Sequence, residues 1–350
     1  MTTSKPDNSA KPDAKAKRSA GRVNLNDIAQ RVGVSPITVS RALRTPDLVS
    51  PATRAKIQAA VEELGYVPDL VAASLASRHS KVVAVILPTI TQALFADTIQ
   101  GLVDVLRLEG YQLIVGDNGY SSEIEASLIS TLLGRRPDGL VLVGGEHLPP
   151  TRRLLANAGV PVVEIWELPE KPIDSVVGFS NFNAMYAMTH YLLKTGRRRI
   201  AFISTRRNPR ALARQEGYIA CLREHGQGQP PLIALPATVS DLTDPAMEFI
   251  KLVHAHPDID AVCCADDIIA FNVVFACQRQ RWPVPDRFAI SGFCDLDMAR
   301  KLYPALTTVR IPGYDMGREA GRLVLGRLHG AISEPVTLDL GFEIIQRETA

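Results

Sequence analysis

Residues Leu25 to Leu43, LNDIAQRVGVSPITVSRAL, most tightly constrain what this chain can fold into. Leu25, Ile28, Ala29 and Val32 recur at i, i+3, i+4 and i+7, which makes one apolar stripe on a short helix. Gly33 stands where a left-handed residue ends such a helix. Ser35 offers an N-cap oxygen, and Pro36 takes the first helical position, where its missing N–H costs nothing. On the second helix Val39, Ala42 and Leu43 turn inward, which leaves Pro36, Ile37, Ser40, Arg41 and Arg44 facing outward. Two helices, a glycine turn and a basic outer face predict a helix-turn-helix, whose second helix lies in the DNA major groove.

A third helix is predicted behind these two. Ser50-Pro51 repeats the cap signal, Ile57, Val61 and Leu64 form its stripe, and Gly65 ends it. The residue before Pro68 is pushed out of the helical region, so helix stops there. Asp69 to Arg78, DLVAASLASR, is Ala-rich and too short to be stably helical alone. It needs DNA or a second subunit to fold.

Charge is distributed unevenly. Residues 1–80 hold 12 Lys and Arg against 7 Asp and Glu, and the rest holds 27 against 30. A basic end on a mildly acidic body suits a polyanionic partner touched at one end only. Residues 1–22 lack periodicity and are rich in Lys, Pro, Ala, Ser and Asp, so a disordered basic tail is expected. Cys221, Cys263, Cys264, Cys277 and Cys294 are odd in number and contain no CxxC pair, which reads as buried free thiols in a reducing compartment. No apolar run is long enough to span a bilayer, and no secretory segment is apparent, so a cytoplasmic location without membrane contact is expected.

From Lys81 on, apolar runs alternate with amphipathic helices. Strands are predicted at 82–88, 111–117, 139–144, 160–166, 176–180, 199–204, 261–265, 288–292 and 307–312, with final strands near 336–346. Helices are predicted near 95–109, 123–133, 150–158, 183–195, 210–225, 243–254, 267–280 and 315–329. Buried strands alternating with helices argue for parallel sheets, and two successive sets argue for two doubly wound lobes. The cleft between the lobes is the default ligand site, lined by residues just past strand ends. Those residues are Thr89 to Gln92, Asp117-Asn118, Glu146-His147 and Trp166-Glu167 in the first lobe. In the second they are Ser204 to Arg207, Asp266-Asp267 and Cys294-Asp295. Phe95 and Trp166 either stack on a ligand's carbon skeleton or serve as ordinary core.

The run NDIAQRVGVSPITVSRAL, then VSPATRAKIQAAVEELGYVPD, resembles the headpiece of the lactose/galactose-repressor family of bacterial transcription regulators. GVS-x-x-TVSR, the VS-capped third helix and LGY-x-P all stand in register. The resemblance implies a small all-α helix-turn-helix headpiece (23–68) and a hinge helix or linker (69–80). It implies next an α/β two-lobed core like a periplasmic binding protein (81–350), with parallel doubly wound sheets. The lobes are expected at about 81–178 plus 309–333, and 179–308 plus 334–350. Pro36, Ile37 and Arg41 correspond to the family's base readers, with Thr38 and Ser40 on the same helix. Leu75 matches its minor-groove leucine wedge. Operator DNA of pseudo-palindromic sequence, a homodimer and a small effector follow as partners. The ending QRETA carries no Leu-heptad tail, which favours a dimer over a tetramer.

Within the core, Arg214-Gln-Glu-Gly217-Tyr218 resembles the family's R-x-x-G-aromatic, whose Arg faces the ligand and can hold a carboxylate or vicinal hydroxyls. CADD (264–267) matches the acid pair after a core strand. Asp266 is therefore read as a hydroxyl acceptor, as a helix N-cap, or as both. One departure is GFCD, where sugar-binding members carry GYDD or GFDD. Cys294 removes a carboxylate from the cleft, which favours an anionic ligand over a neutral sugar. LPTITQALFADTIQGL, GYQLIVGDNGY and VGFSNFNA look closest to the gluconate-repressor branch, so gluconate or a related aldonate or ketoaldonate is the expected effector. The effector residues so implied are Gln92, Phe95, Glu146, Trp166, Arg214, Asp266 and Cys294. No P-loop, GxSxG or HExxH occurs, and the His254-x-His256 spacing suits no helical metal site. No enzyme activity, cofactor or metal is therefore expected.

Overall fold

The computed structural model describes residues 23–67, 79–226, 230–235 and 244–350, and the chain divides into two compact units, residues 1–78 and 79–350. The tail 1–22 and most of the linker, Leu75 included, lie outside the described residues.

The first unit packs three helices, α1 (Leu25–Val32), α2 (Pro36–Arg44) and α3 (Pro51–Leu64). Asn24 caps α1 by accepting from the Asn26 and Asp27 amides, and Asp27 accepts in return from the Asn24 amide. Gly33 ends α1 at φ 76°. Ser35 and Ser50 cap α2 and α3 through the Thr38 and Thr53 amides. Ile28, Ala29, Val39, Ala42, Ile57, Ala60 and Tyr66 form the core, with Val61 and Leu64 only half-buried at its edge.

The second unit holds two six-stranded sheets among the described residues. The first lobe runs β1 (Val82–Leu87), α4 (Ala96–Leu108), β2 (Gln112–Asp117), α5 (Ser122–Gly134), β3 (Gly139–Val143), α6 (Pro149–Ala156), β4 (Val162–Ile165) and β5 (Ser175–Gly178). The second runs α7 (Asn181–Lys194), β6 (Ile200–Ile203), α8 (Pro209–Glu224), β7 (Leu232–Ala234), α9 (Pro245–Ala255), β8 (Ala261–Cys264), α10 (Asp267–Gln280), β9 (Ala289–Cys294) and β10 (Thr307–Arg310). α11 (Gly313–Leu328), β11 (Thr337–Asp339) and β12 (Glu343–Ile345) complete both lobes. The sheet orders are β11-β5-β4-β3-β1-β2 and β12-β10-β9-β8-β6-β7. Strand order therefore reverses beside β1 in one sheet and beside β6 in the other. Crevices for ligands open at the carboxyl ends of strands at such reversals.

Four findings differ from the sequence reading. Residues 334–350, expected wholly in the second lobe, divide: β11 pairs with β5 in the first sheet and β12 with β10 in the second. The chain thus crosses between lobes after β5, after β10 and after β11. Secondly, β12 runs antiparallel to β10, an exception to the parallel sheets. Thirdly, the strand expected to stop at Gly292 continues to Cys294, because Phe293 and Cys294 keep pairing with Val309 and Arg310 of β10. β7, three residues long, was not foreseen at all.

α11 belongs to the first lobe because two glycines let it lie against α4. A Cβ on Gly317 would sit 1.9 Å from the Thr98 carbonyl oxygen, and one on Gly101 would sit 2.1 Å from that of Tyr314. Backbone stands on both sides of this crossing, so no side chain can be accommodated.

Candidate functional site

On the first unit, the outer face of α2 presents Pro36, Ile37, Arg41 and Arg44 to solvent. Ile37 is 65% exposed, an apolar β-branched side chain without a core role. Such a residue beside two free arginines fits contact with a thymine methyl and guanine edges. Thr38 and Ser40, expected on the same face, are half-buried, and the Thr38 hydroxyl bonds to Ser35 at 2.9 Å.

On the second unit, the carboxyl ends of the reversing strands meet in a cleft. Its innermost cavity, of about 40 Å³, is lined by Gln92, Phe95, Tyr120 and Trp166 from the first lobe and by Arg206, Arg210, Arg214 and Asp266 from the second. A larger cavity of about 300 Å³ adjoins it and shares Tyr120, Asn208 and Arg210. Glu146 lines that outer cavity. Five of the expected effector residues (Gln92, Phe95, Trp166, Arg214, Asp266) thus come together, with Glu146 at the outer chamber. Cys294 lines neither cavity: it is the last residue of β9, buried behind Arg214, with its thiol pushed up by burial. The expected direct ligand contact from Cys294 is corrected to a place behind the site.

Arg214 is fixed before any ligand arrives. Its Nε donates to Asn181 Oδ1 at 2.8 Å, its Nη1 donates to the Ala265 carbonyl, and its guanidinium lies 3.7 Å above the Phe293 ring. Burial pulls its pKa below the ordinary arginine value, opposed by neighbouring Cys294. Gly217, one turn further along α8, explains the motif. A Cβ there would stand 2.2 Å from the Phe182 carbonyl oxygen, so only glycine lets α8 press against α7 and bring Arg214 to Asn181. Asp266 caps α10 by accepting from the Ile269 amide at 2.9 Å, and burial raises its pKa. Its cap role and its place in the cavity coexist.

Trp166 sits at φ 74°, a left-handed conformation that a bulky residue adopts only under constraint. The constraint is visible. Its Nε1 donates to Thr98, its carbonyl accepts from Asn181, and its ring meets Phe95 edge-on at 4.8 Å. The strain holds the indole at the cleft floor.

Side chains of the two lobes also meet across the cleft. Arg210 donates to Glu167 at 3.0 Å, and the Arg206 guanidinium lies 4.5 Å above the Tyr120 ring. Tyr120, Asn181, Asn208 and Arg210 were not singled out from the sequence. Arg210 had a usable signal, since it precedes Arg214 by one helical turn and shares its face. Tyr120 had none, because its hydroxyl partner Gln92 and its ring partner Arg206 are both remote in sequence.

Below the outer cavity lies a buried charge cluster. His147 Nδ1 meets Glu125 at 2.6 Å, and its Nε2 lies 3.4 Å from Glu164 on β4. Burial alone lowers the imidazole pKa, but the bonds to Glu125 and Glu164 outweigh it and raise it to about 9. The imidazolium thus stands between the Glu125 and Glu164 side chains beside the chamber.

Among the described residues, no helix is long and apolar enough to cross a membrane. A profile described as "Bacterial regulatory proteins, lacI family" matches residues 24–69, and one described as "Periplasmic binding protein-like domain" matches residues 189–350. The HTH-type transcriptional regulator GntR of Escherichia coli (strain K12) is 36% identical over 321 residues, covering 91% of this chain and 96% of the relative. GntR of Pseudomonas aeruginosa is 35% identical over 332 residues, covering 95% and 97%. A lacI-family transcriptional regulator from Silicibacter pomeroyi superposes with a TM-score of 0.85 at 32% identity, covering 93% of this chain and 99% of that one. These relatives are named as regulators rather than enzymes, and they span both units. This chain belongs to the lacI family of bacterial regulatory proteins and is a DNA-binding transcriptional regulator.

Proposed function

We propose that this regulator is a homodimeric repressor of sugar-acid catabolism, acting in the cytoplasm, whose effector is gluconate or a related aldonate or ketoaldonate. The observation that carries the effector class is the innermost cavity, where Arg206, Arg210 and Arg214 face one carboxylate, Asp266, itself pushed toward neutrality by burial. A cationic pocket of low dielectric favours an anion with hydroxyls over a neutral hexose. The likeness of its core phrases to the gluconate-repressor branch supports the same reading.

At about 40 Å³ this cavity is far below the 300 Å³ or so of a ligand site, so the effector reaches Arg214 only as the lobes part. The Glu167–Arg210 pair and the Arg206–Tyr120 contact then give way, and the ligand carboxylate takes the place of Glu167 on Arg210. Pro36, Ile37 and Arg41 read the operator, aided by Thr38 and Ser40, while Leu75 opens a central base step from the minor groove. Support for the dimer comes from β2, an edge strand with Ile114 and Val115 about 40% exposed, and from Leu108, which is 86% exposed on α4. Apolar surface at a sheet edge marks an interaction face.

Calorimetric titration with aldonates, ketoaldonates and neutral hexoses tests the effector. Saturable binding of an aldonate or ketoaldonate, with hexoses silent, is expected. Tight binding of hexoses with aldonates silent would overturn the sugar-acid reading and leave the regulator itself intact.

A further inference from the structure

At the far end of the helix pair that holds Arg214, a second group of side chains converges. We propose that His190 of α7 with Cys221 and His225 of α8 form a binding site for a zinc-class divalent d-block cation, separate from the effector cleft. One ligand atom from each residue lies within 4.8 Å of the others. Cys221 and His225 are four residues apart at the end of α8, on one face, and the packing of α7 against α8 brings His190 to them.

The hydrogen bonds define which atoms are available. His225 Nδ1 lies 2.8 Å from the Cys221 carbonyl oxygen, which only accepts, so Nδ1 carries the proton and Nε2 offers a lone pair. That Nε2 lies 2.9 Å from His190 Nδ1, so one proton now bridges two nitrogens that otherwise repel. A cation takes the place of this bridging proton. The bond to the Cys221 carbonyl meanwhile fixes the His225 ring, as an outer partner does in metal sites. Burial, Lys194 and His225 together lower the His190 pKa. Glu224 stays outside this group, its carboxylate accepting from the Tyr186 hydroxyl at 2.6 Å, so a solvent molecule takes the fourth position on the cation.

Tetrahedral zinc with two nitrogens and a sulfur needs ligand–ligand edges of about 3.3–3.6 Å. The three side chains must therefore draw closer than the 4.8 Å within which their ligand atoms now lie. His190 is partly exposed and carries the adjustment, while Cys221 is fixed in the core and His225 is held by its carbonyl bond. On binding, the Cys221 S–H bond breaks, its proton leaves to solvent and the sulfur lone pair takes the cation. The bridging proton passes from His190 Nδ1 to its Nε2. Burial pushes the free thiol up to about 12, so cation binding competes with that proton and strengthens with rising pH.

Zinc titration of the metal-free full chain against a chromophoric chelator, with cobalt as a spectroscopic stand-in, tests the site. One cation per chain is expected, with a sulfur-to-cobalt charge-transfer band that disappears in Cys221→Ser. His190→Gln and His225→Gln should each weaken zinc by an order of magnitude or more, while His254→Gln leaves it unchanged. His225 is exposed, so its variant keeps the fold, and circular dichroism confirms that. No saturable binding, binding indifferent to His190→Gln and His225→Gln, or a cobalt complex without the sulfur band overturns the proposal.

Discussion

Arg214 and Arg210 share a helix face, but they were not equally legible. Arg214 stands in a motif whose glycine has a physical purpose, the contact of α8 with the Phe182 carbonyl. Arg210 gains its meaning only from Glu167 in the other lobe, and no spacing along the chain encodes that. Cys294 shows the opposite failure, because the strand-end rule assumed that β9 stops two residues early. The Glu167–Arg210 pair leads to a test of the effector proposal. Glu167 competes with a ligand carboxylate for Arg210, so Glu167→Gln should tighten aldonate binding several-fold in calorimetry. Weaker binding would mean that Glu167 contacts the ligand instead. On the other unit, Arg41 is exposed and forms no ion pair among the described residues, consistent with a base reader rather than a structural residue. Arg41→Ala should cost about 1–3 kcal/mol at the cognate operator and little on random DNA, measured by fluorescence anisotropy. Equal losses on both would make it a phosphate contact only.

Elements bounded by strong chemical signals were readable. Caps at Ser35, Ser50 and Asp266 place helix starts within a residue or two, because the capping bond is local. β7 and β11 were hard to assign because each is three residues long and defined by pairing with distant strands. The α4–α11 crossing was equally hidden, since Gly101 and Gly317 are 216 positions apart and meet only in the folded lobe. Gly317→Ala tests it. The added carbon meets backbone at Thr98 and Leu102, which cannot swing away, so a loss of about 1–3 kcal/mol is expected in urea unfolding. The His147 cluster on β4 and its neighbours gives a pH signature. The folded pKa, about 9, exceeds the ordinary histidine value of 6.5, so its stabilising contribution is complete below 6.5 and is lost as pH rises toward 9. The urea midpoint should fall across that window, and His147→Gln should flatten the fall. An unchanged slope in the variant would exclude His147 as its source.

At the scale of the whole molecule, two lobes that meet through three chain crossings can part or close without unfolding either sheet. Among the described residues, the contacts that would distinguish the two states include Arg210 on Glu167, Arg206 on Tyr120, and Asn181 on the Trp166 carbonyl. An effector can shift such an equilibrium only by its difference in affinity for the two states, so the coupling to DNA must be reciprocal. If an aldonate changes operator affinity by some factor, operator DNA must change aldonate affinity by the same factor. Paired titrations, operator with and without ligand and ligand with and without operator, measure both sides of this cycle. Arg214→Ala should leave operator binding by the ligand-free protein near normal, because the side chain is confined to the cleft. It should also remove the ligand's effect on DNA. Loss of operator binding in that variant without ligand would instead assign Arg214 to the stability of the α7–α8 pair, and the bonds to Asn181 and the Ala265 carbonyl would then be structural rather than poised for a ligand.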